Sequence, residues 1–237
     1  MATAVGEDRL DLWVIGAHGM LGSAIARSAA PHARLFPAPV IPWGTSADPL
    51  ATLRAVADEF QAWRRAGGRW AVVWAAGTGV VASPRPLLET QRDVVVGLAR
   101  SIADEAPPGG AFLFASSAAV YGAGAADPSD EESPAFPLSA YGELKLATER
   151  ELTRILTGRV VPVIARIGTL YGPGQNLTKS QGLVAAMCRE AIREGVIPLW
   201  APLDTLRDYI HVDDAATACA GLVGRASTGD LGEAAVR

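Results

Sequence analysis

Tyr141 and Lys145, four residues apart, are the side chains of this sequence whose types and spacing best suit acid–base chemistry. Positions i and i+4 of a helix share one face, so the phenol and the ammonium are expected to point into the same site. An ammonium close to a phenol favours the phenolate, and we therefore expect the pKa of Tyr141 to lie below its ordinary value of about 10. Ser117, upstream of the pair, offers a hydroxyl to hold a substrate oxygen beside the phenol, and Ser116 is the main rival for that role. Together these residues predict a site of proton transfer.

A glycine-rich segment near the N-terminus predicts a binding site for a dinucleotide. The apolar run Leu10–Ile15 is typical of a buried strand, residues 16–22 follow it with the spacing G-x-x-G-x-x-G, and residues 23–30 favour a helix. Glycines let the backbone turn tightly and approach a pyrophosphate, and the start of the helix offers free N–H groups and a partial positive charge. For this motif alone, an ordinary turn between a strand and a helix is the alternative.

The rest of the chain alternates between strand and helix patterns, which predicts an α/β fold with a parallel sheet. Predicted strands cover residues 10–15, 34–36, 70–77, 111–115 and 160–167, and predicted helices cover residues 23–30, 50–66, 88–105, 141–156, 181–194 and 213–223. Pro162 is awkward in its strand and is expected at the start or at an irregularity. Ligands of open parallel sheets bind at the carboxyl ends of the strands, so Ser117 and the glycine segment are expected at the same edge.

Composition excludes several classes of function. The 237 residues carry a formal net charge of −4, so there is no basic surface to predict a nucleic acid or an anionic membrane as partner. We also expect no membrane span, no signal peptide and a cytoplasmic location, with Cys188 and Cys219 as buried thiols in a reducing compartment. The acidic residues of segment 127–132 favour a solvated loop, and no metal site is expected.

Five motifs in order resemble those of one family. They lie at residues 16–22, 116–122, 141–145, 170–176 and 207–214, and together they span about residues 10 to 215. The chain resembles an extended short-chain dehydrogenase/reductase, the branch that contains NAD-dependent nucleotide-sugar epimerases, dehydratases and 4-ketoreductases.

The resemblance implies a Rossmann-type, doubly wound parallel sheet over residues 9–170. Residues 171–237 would form a partial substrate-binding lobe interleaved with the last core elements. Enzymes of the family usually continue for several tens of residues after the Asp-Asp motif, so this lobe is expected to be small and shortened. A homodimer is a further expectation, because a partner subunit would help to complete such a site.

The resemblance also assigns roles to residues. NAD or NADP would contact Gly16, His18, Gly19, Met20, Leu21, Gly22, Ala75, Ala76, Gly77, Tyr141 and Lys145. Catalysis would rest on Ser117, Tyr141 and Lys145, and the substrate, expected to be a nucleotide sugar, would contact Ser117, Asn176 and Arg207. The guanidinium of Arg207 suits a diphosphate, and a surface salt bridge to Asp204 or Asp208 is its alternative.

Departures from the family pattern narrow the reaction. Ala118 and Ala119 stand where the 4,6-dehydratases carry an acidic pair, which disfavours dehydration and leaves 4-ketoreduction or 4-epimerisation. No acidic or basic residue that would choose between NAD and NADP is evident in segment 36–44. Where the family often has an Asn, this chain has Asp93 or Val94. A cofactor-binding sensor or scaffold with little turnover remains the alternative to an enzyme.

Overall fold

A computed structural model describes residues 9–37, 39–41, 48–122, 128–176, 182–195 and 205–230. The strands are β1 (Leu10–Ile15), β2 (Ala33–Leu35), β3 (Trp70–Trp74), β4 (Gly110–Ser117), β5 (Val160–Ile167), β6 (Thr169–Tyr171) and β7 (Tyr209–His211). The helices are α1 (Met20–Ala29), α2 (Pro49–Trp63), α3 (Arg85–Glu105), α4 (Ala140–Leu156), α5 (Leu183–Glu194) and α6 (Val212–Ala226), and a 3₁₀ turn covers Ala118–Val120.

Five strands form a parallel sheet in the order β2-β1-β3-β4-β5. The chain moves outward from β1 to β2 and then returns to the other side of β1 to form β3. The crevice between β1 and β3 is therefore a topological switch point, where open α/β sheets bind their ligands. The segments that follow β1 and β3 flank this crevice at the carboxyl edge of the sheet.

Helices cover both faces of the sheet, because the strands are apolar on both sides. On one face, alternate strand residues such as Trp13, Trp70 and Phe112 pack against α2, α3 and α4. On the opposite face, Leu12, Val73 and their neighbours pack against α1 and α6. The expected doubly wound α/β fold is confirmed.

Two details of the core differ from the sequence interpretation. Pro162 lies inside β5 and pairs with Phe112 of β4. Among the described strands β5 lies at the edge of the sheet, which is where a proline is tolerated because one side of the strand has no partner strand to donate to. Strand β4 runs on to Ser117, two residues beyond the predicted end, so Ser117 is its last residue.

The C-terminal elements begin with a second, two-stranded parallel sheet formed by β6 and β7. The N-cap of α6 is His211, whose Nδ1 accepts a hydrogen bond from the backbone N–H of Asp213 at 3.3 Å. Cys219 is buried in α6, whereas Cys188 is exposed on α5, contrary to expectation. Among the described helices, none has the length and apolar character needed to cross a bilayer.

Candidate active site

Strand β4 and helix α4 meet at the carboxyl edge of the sheet and bring the three predicted catalytic residues together. The Nζ of Lys145 donates a hydrogen bond to the carbonyl of Ala115 at 2.8 Å. The hydroxyl of Ser117 hydrogen-bonds the phenol of Tyr141. Ser139 caps α4 by accepting from the N–H of Gly142, which fixes the first turn of the helix and thereby the position of Tyr141.

The hydroxyl of Ser116 is bonded to Glu149 and not to Tyr141, which distinguishes Ser116 from Ser117. Ser116 is 6% exposed and donates to the carboxylate of Glu149, which is itself 4% exposed. Ser117 is more accessible and its Oγ also accepts from the N–H of Ala119 at 3.2 Å. Of the two serines, Ser117 is the one whose hydroxyl bonds the phenol of Tyr141, and its contact with a substrate remains a prediction.

The protonation of Tyr141 differs from the sequence expectation. Burial raises the pKa of the phenol above 10, and the hydrogen bond from Ser117 only partly opposes this shift. The Lys145 ammonium does not reverse it because Nζ is directed to the Ala115 carbonyl, 5.7 Å from the centre of the Tyr141 ring. The expected lowering of the Tyr141 pKa is therefore wrong for this state of the site, and Tyr141 is a neutral phenol at neutral pH.

Lys145 is itself perturbed by the surrounding protein. Burial lowers the pKa of its ammonium from 10.5 to about 8, and the charge of Glu149 acts in the opposite direction. Its Nζ also lies 4.5 Å from the centre of the Phe114 ring, a favourable cation–π contact. The ammonium is thus charged at neutral pH but close to losing its proton.

The glycine segment has the close approaches that a pyrophosphate loop requires. Gly16 has φ of +93°, and a Cβ built at Gly22 would lie 2.1 Å from the Gly16 carbonyl oxygen. Gly19, the N-cap of α1, contributes no side chain to cap the helix, so its first N–H groups are available to a ligand. These features fit the pyrophosphate of NAD or NADP, which Gly16, Gly19 and the first turn of α1 would hold.

A cleft of about 290 Å³ lies at the switch point of the sheet. It is lined by Trp13, Val14, Ile15, Gly16, Ala17, His18, Gly19, Pro39, Val40, Ile41, Thr52, Leu53, Val56, Ala75, Ala76, Gly77 and Thr78. Gly16, His18, Gly19, Ala75, Ala76 and Gly77 of the predicted cofactor contacts line it. Met20, Leu21 and Gly22 form the adjacent first turn of α1, and Tyr141 and Lys145 are not part of the lining, so their contact with the cofactor stays a prediction. The cleft suits the planar adenosine end of a dinucleotide because its walls are mostly apolar.

Within the described residues, the wall beyond β2 has no charged group to distinguish NAD from NADP. It consists of residues 39–41 together with Thr52, Leu53 and Val56. Of segment 36–44, position 38 and positions 42–44 lie outside the described residues.

Gln91 is a residue of this edge that the sequence analysis missed. Its amide nitrogen donates to the hydroxyl of Thr78 at 2.9 Å, and its Oε1 accepts from the N–H of Gly79 at 3.3 Å. It thereby fixes the segment after β3, whereas Asp93, one of the two expected positions, is exposed and pairs with Arg92. A single Gln on a helix carries no motif, so no sequence signal pointed to it.

The predicted substrate residues lie on the segments beside the two-stranded sheet. A Cβ added at Gly174, two residues before Asn176, would lie 3.7 Å from the Cα of Met20, so this turn rests against the start of α1. Arg207 precedes β7, is exposed, and donates to the carbonyl of Leu206 at 2.8 Å. Contact of Asn176 and Arg207 with a substrate remains a prediction.

Replacing Gly22 with Ala should weaken the binding of NAD(H) and NADP(H) and lower the free energy of unfolding by about 1–3 kcal/mol. The added methyl would overlap the Gly16 carbonyl and push the loop away from α1. Gly221→Ala in α6 is the matched control, since a Cβ there meets nothing within 4 Å and Ala favours a helix. Fluorescence titration and thermal unfolding measure both effects, and equal behaviour of the two variants would contradict the assigned packing.

A parallel sheet with a glycine loop at its switch point defines a Rossmann-type dinucleotide-binding protein. The model of the NAD dependent epimerase/dehydratase family matches residues 12–235. The chain therefore belongs to that family, which confirms both the resemblance and the expectation of NAD or NADP as cofactor.

Two curated relatives match shorter segments. A dTDP-L-rhamnose 4-epimerase from Burkholderia thailandensis is 40% identical over 91 residues, 38% of this chain and 25% of that protein. A dTDP-6-deoxy-L-talose 4-dehydrogenase (NAD(P)(+)) from Kitasatospora kifunensis is 36% identical over 87 residues, 35% of this chain and 27% of that protein. The matched segments span about a quarter of the length of these relatives.

A solved structure supports the fold over a longer stretch. The UDP-N-acetylglucosamine 4-epimerase from Methanobrevibacter ruminantium, in complex with UDP-N-acetylmuramic acid, has a TM-score of 0.72 and 19% identity. The similarity covers 93% of this chain and 74% of that one. At this identity the likeness shows the fold alone.

Proposed function

We propose that this protein is a NAD(P)-dependent oxidoreductase that acts at C4 of a nucleotide-linked 6-deoxysugar, by 4-ketoreduction or 4-epimerisation, with 4-ketoreduction favoured. The observation that carries this proposal is the hydrogen bond between Ser117 and a neutral Tyr141, next to Lys145, at the edge where the glycine loop lies. A neutral phenol is ready to donate a proton to a carbonyl oxygen, which is what reduction of a 4-ketosugar requires.

The matched relatives support the choice of substrate. Both carry dTDP-linked 6-deoxysugars in their names, and both names place the reaction at C4. One is an epimerase and the other a dehydrogenase, so the likeness supports redox chemistry at this carbon and leaves two reactions to test. The exposed Arg207 would meet the diphosphate of such a substrate.

Ser117, Tyr141 and Lys145 would each have a separate role in the reduction. The bound nicotinamide would supply hydride to the sugar carbonyl carbon. Ser117 would hold the carbonyl oxygen by a hydrogen bond, and Tyr141 would donate the phenolic proton to that oxygen. Lys145 would stabilise the resulting phenolate by its positive charge until the phenol regains a proton from solvent.

Dehydration is disfavoured by the residue types in the 3₁₀ turn that follows β4. Its first two residues are Ala118 and Ala119, and methyl side chains cannot accept or donate the protons that elimination of water requires. This is consistent with simple redox chemistry at C4.

Reductive turnover should be nearly constant between about pH 6 and pH 7.5 and should fall as the pH rises through about 8. Below pH 8 Lys145 keeps its charge and Tyr141 its proton, and above pH 8 the lysine becomes neutral first because its pKa is the lower of the two. The dependence of kcat on pH measures this. A rate that climbs between pH 8 and pH 9 would contradict the assignment of a phenol donor supported by an ammonium.

Turnover with defined sugars tests the proposal. The protein would be mixed with NADH or NADPH and a set of dTDP-4-keto-6-deoxysugars, and the loss of reduced-nicotinamide absorbance followed. We expect oxidation of the cofactor and one 4-hydroxy product. Incubation of dTDP-L-rhamnose with NAD⁺ and NMR analysis would reveal epimerisation as formation of the 4-epimer with no net reduction of the cofactor. Cofactor binding without either product would support the sensor or scaffold alternative and reject the proposal.

A further inference from the structure

We propose that Glu149 is a positioning residue of the candidate site, which ties β4, α4 and β5 together and controls the charge of Lys145. Glu149 follows Lys145 by one turn of α4, as Lys145 follows Tyr141. The three residues form one stripe along the helix, on the side that faces the end of β4. The effect of Glu149 on catalysis rests on the proposed function, but its effect on the charge of Lys145 does not.

Three consecutive residues of β4 are bound to this stripe. The Ala115 carbonyl accepts from Lys145, the Ser116 hydroxyl donates to Glu149, and the Ser117 hydroxyl bonds Tyr141. The contact of Glu149 therefore lies between the two contacts that form the candidate site. Because Ser116 and Glu149 are both buried, this bond fixes the strand end that presents Ser117.

The second oxygen of Glu149 joins the site to β5. Arg166 donates to it from its terminal nitrogen at 2.8 Å and from Nε at 3.1 Å. The guanidinium also lies 4.9 Å from the centre of the Tyr121 ring, so it is held on two sides. A buried carboxylate without partners would be strongly unfavourable, and here Ser116 and Arg166 satisfy both of its oxygens.

Charged and polar groups surround Lys145 on the elements that pack against it. On α4 they are the carboxylate of Glu149 and the neutral Tyr141, and β4 contributes only the Ala115 carbonyl, the Ser117 hydroxyl and the Phe114 ring. From β5 the guanidinium of Arg166 pairs with Glu149 and lies against the ring of Tyr121.

Helix α3 presents Arg92 and Arg100 toward α4, but both pair with Glu151 instead. Among the described groups, Glu149 is thus the anion that opposes the burial of the Lys145 ammonium.

Titration of Lys145 by NMR tests this inference without any need for turnover. The chain has two lysines, Lys145 and Lys179, so protein labelled with carbon-13 at lysine Cε gives two signals, which the variant Lys179→Arg assigns. In the wild type the Lys145 signal should titrate at about pH 8. In Glu149→Gln the midpoint should fall by about 1 pH unit or more, because the amide keeps the shape and removes the charge.

A matched control and a second variant complete the test. Glu151→Gln removes a carboxylate that is also on α4 and is also ion-paired, in its case with Arg92 and Arg100, and it should leave the Lys145 midpoint unchanged. Arg166→Gln removes the cation that pairs with Glu149, so the carboxylate acts more strongly on Lys145 and the Lys145 midpoint should rise. If Glu149→Gln does not fold, this variant alone tests the inference. An unchanged midpoint in Arg166→Gln and in folded Glu149→Gln would overturn the inference.

The effect on catalysis is measured separately. In Glu149→Gln the fall of kcat at alkaline pH should move to lower pH by the same amount as the NMR midpoint, whereas in Glu151→Gln it should not move. A shift of the midpoint in a protein that turns over no sugar would keep the role of Glu149 and reject the proposed function. A shifted midpoint with an unshifted kcat profile would overturn the catalytic part of the inference.

Discussion

Replacing Tyr141 with Phe should lower the rate of carbonyl reduction by ~10²–10⁴-fold, the usual contribution of a positioned general acid. The phenyl ring would fill the same space, so the loss would come from the missing proton donor rather than from a cavity. The hydroxyl of Ser117 would lose the phenol as a partner but would keep the N–H of Ala119 and its place at the end of β4. Steady-state kinetics with reduced cofactor and the 4-ketosugar measure the effect.

Binding of the cofactor is the internal control for this variant. The glycine loop and the cleft at the switch point are formed by β1, β3 and their following segments, and Tyr141 does not line that cleft. The affinity for NAD(H) and the melting temperature should therefore stay close to the wild-type values. An enzyme that keeps its turnover without the phenol would refute the role given to Tyr141.

Replacing Lys145 with Met should stabilise the protein by about 2 kcal/mol at pH 7 while abolishing most of its turnover. In the folded protein burial holds the pKa of Lys145 at about 8, against 10.5 in the unfolded chain, so below pH 8 folding buries a charge at a cost. Loss of the bond to Ala115 and of the contact with Phe114 offsets part of the gain. Chemical denaturation at several pH values measures the difference.

The pH dependence of this stabilisation follows from the sign of the shift. Below about pH 8 the lysine is protonated in both states and the penalty is fully present. Between about 8 and 10.5 only the unfolded chain keeps the proton, and the penalty declines to zero. Lys145→Arg keeps the charge and should give no stabilisation. A Met variant that is less stable than the wild type at pH 7 would show that the ammonium is not buried at a cost.

Much of the fold was readable from the sequence because its signals are local. The bounds of β1 and β5 agree with the predicted runs, and α4 begins one residue before the predicted start. Such long apolar strands and a capped helix depend mainly on their own residues. The end of β4 was missed because its last residues, Ser116 and Ser117, are polar, and only their pairing with Arg166 and Ile167 of β5 makes them a strand.

The chemistry of the site was harder to predict because it depends on how deeply the Tyr141 phenol is buried and on which group the Lys145 ammonium is directed to. The Tyr141–Lys145 spacing correctly indicated a shared face, but the ammonium is directed to the Ala115 carbonyl, and the phenol is buried enough for its pKa to rise. No local pattern reports either fact.

Glu149 could have been found from the sequence. It stands four residues after Lys145, on the same helical face, and the alternation Phe112, Phe114, Ser116 places the Ser116 hydroxyl on the side of the sheet covered by α4. The choice between the two serines therefore follows from the strand period once α4 is known to cover that face. The preference for NAD or NADP could not be predicted, since the described wall beyond β2 carries no charged group.

Transfer of deuterium from the cofactor to a sugar is the decisive test of hydride transfer to C4 with Tyr141 as the proton donor. The protein would be incubated with NADH or NADPH deuterated at the transferable position of the nicotinamide and with a dTDP-4-keto-6-deoxysugar, and the product analysed by NMR. We expect deuterium on C4 of the sugar with the wild type, and its near absence with Tyr141→Phe. A wild-type protein that binds the reduced cofactor and the sugar but delivers no deuterium to C4 would contradict it.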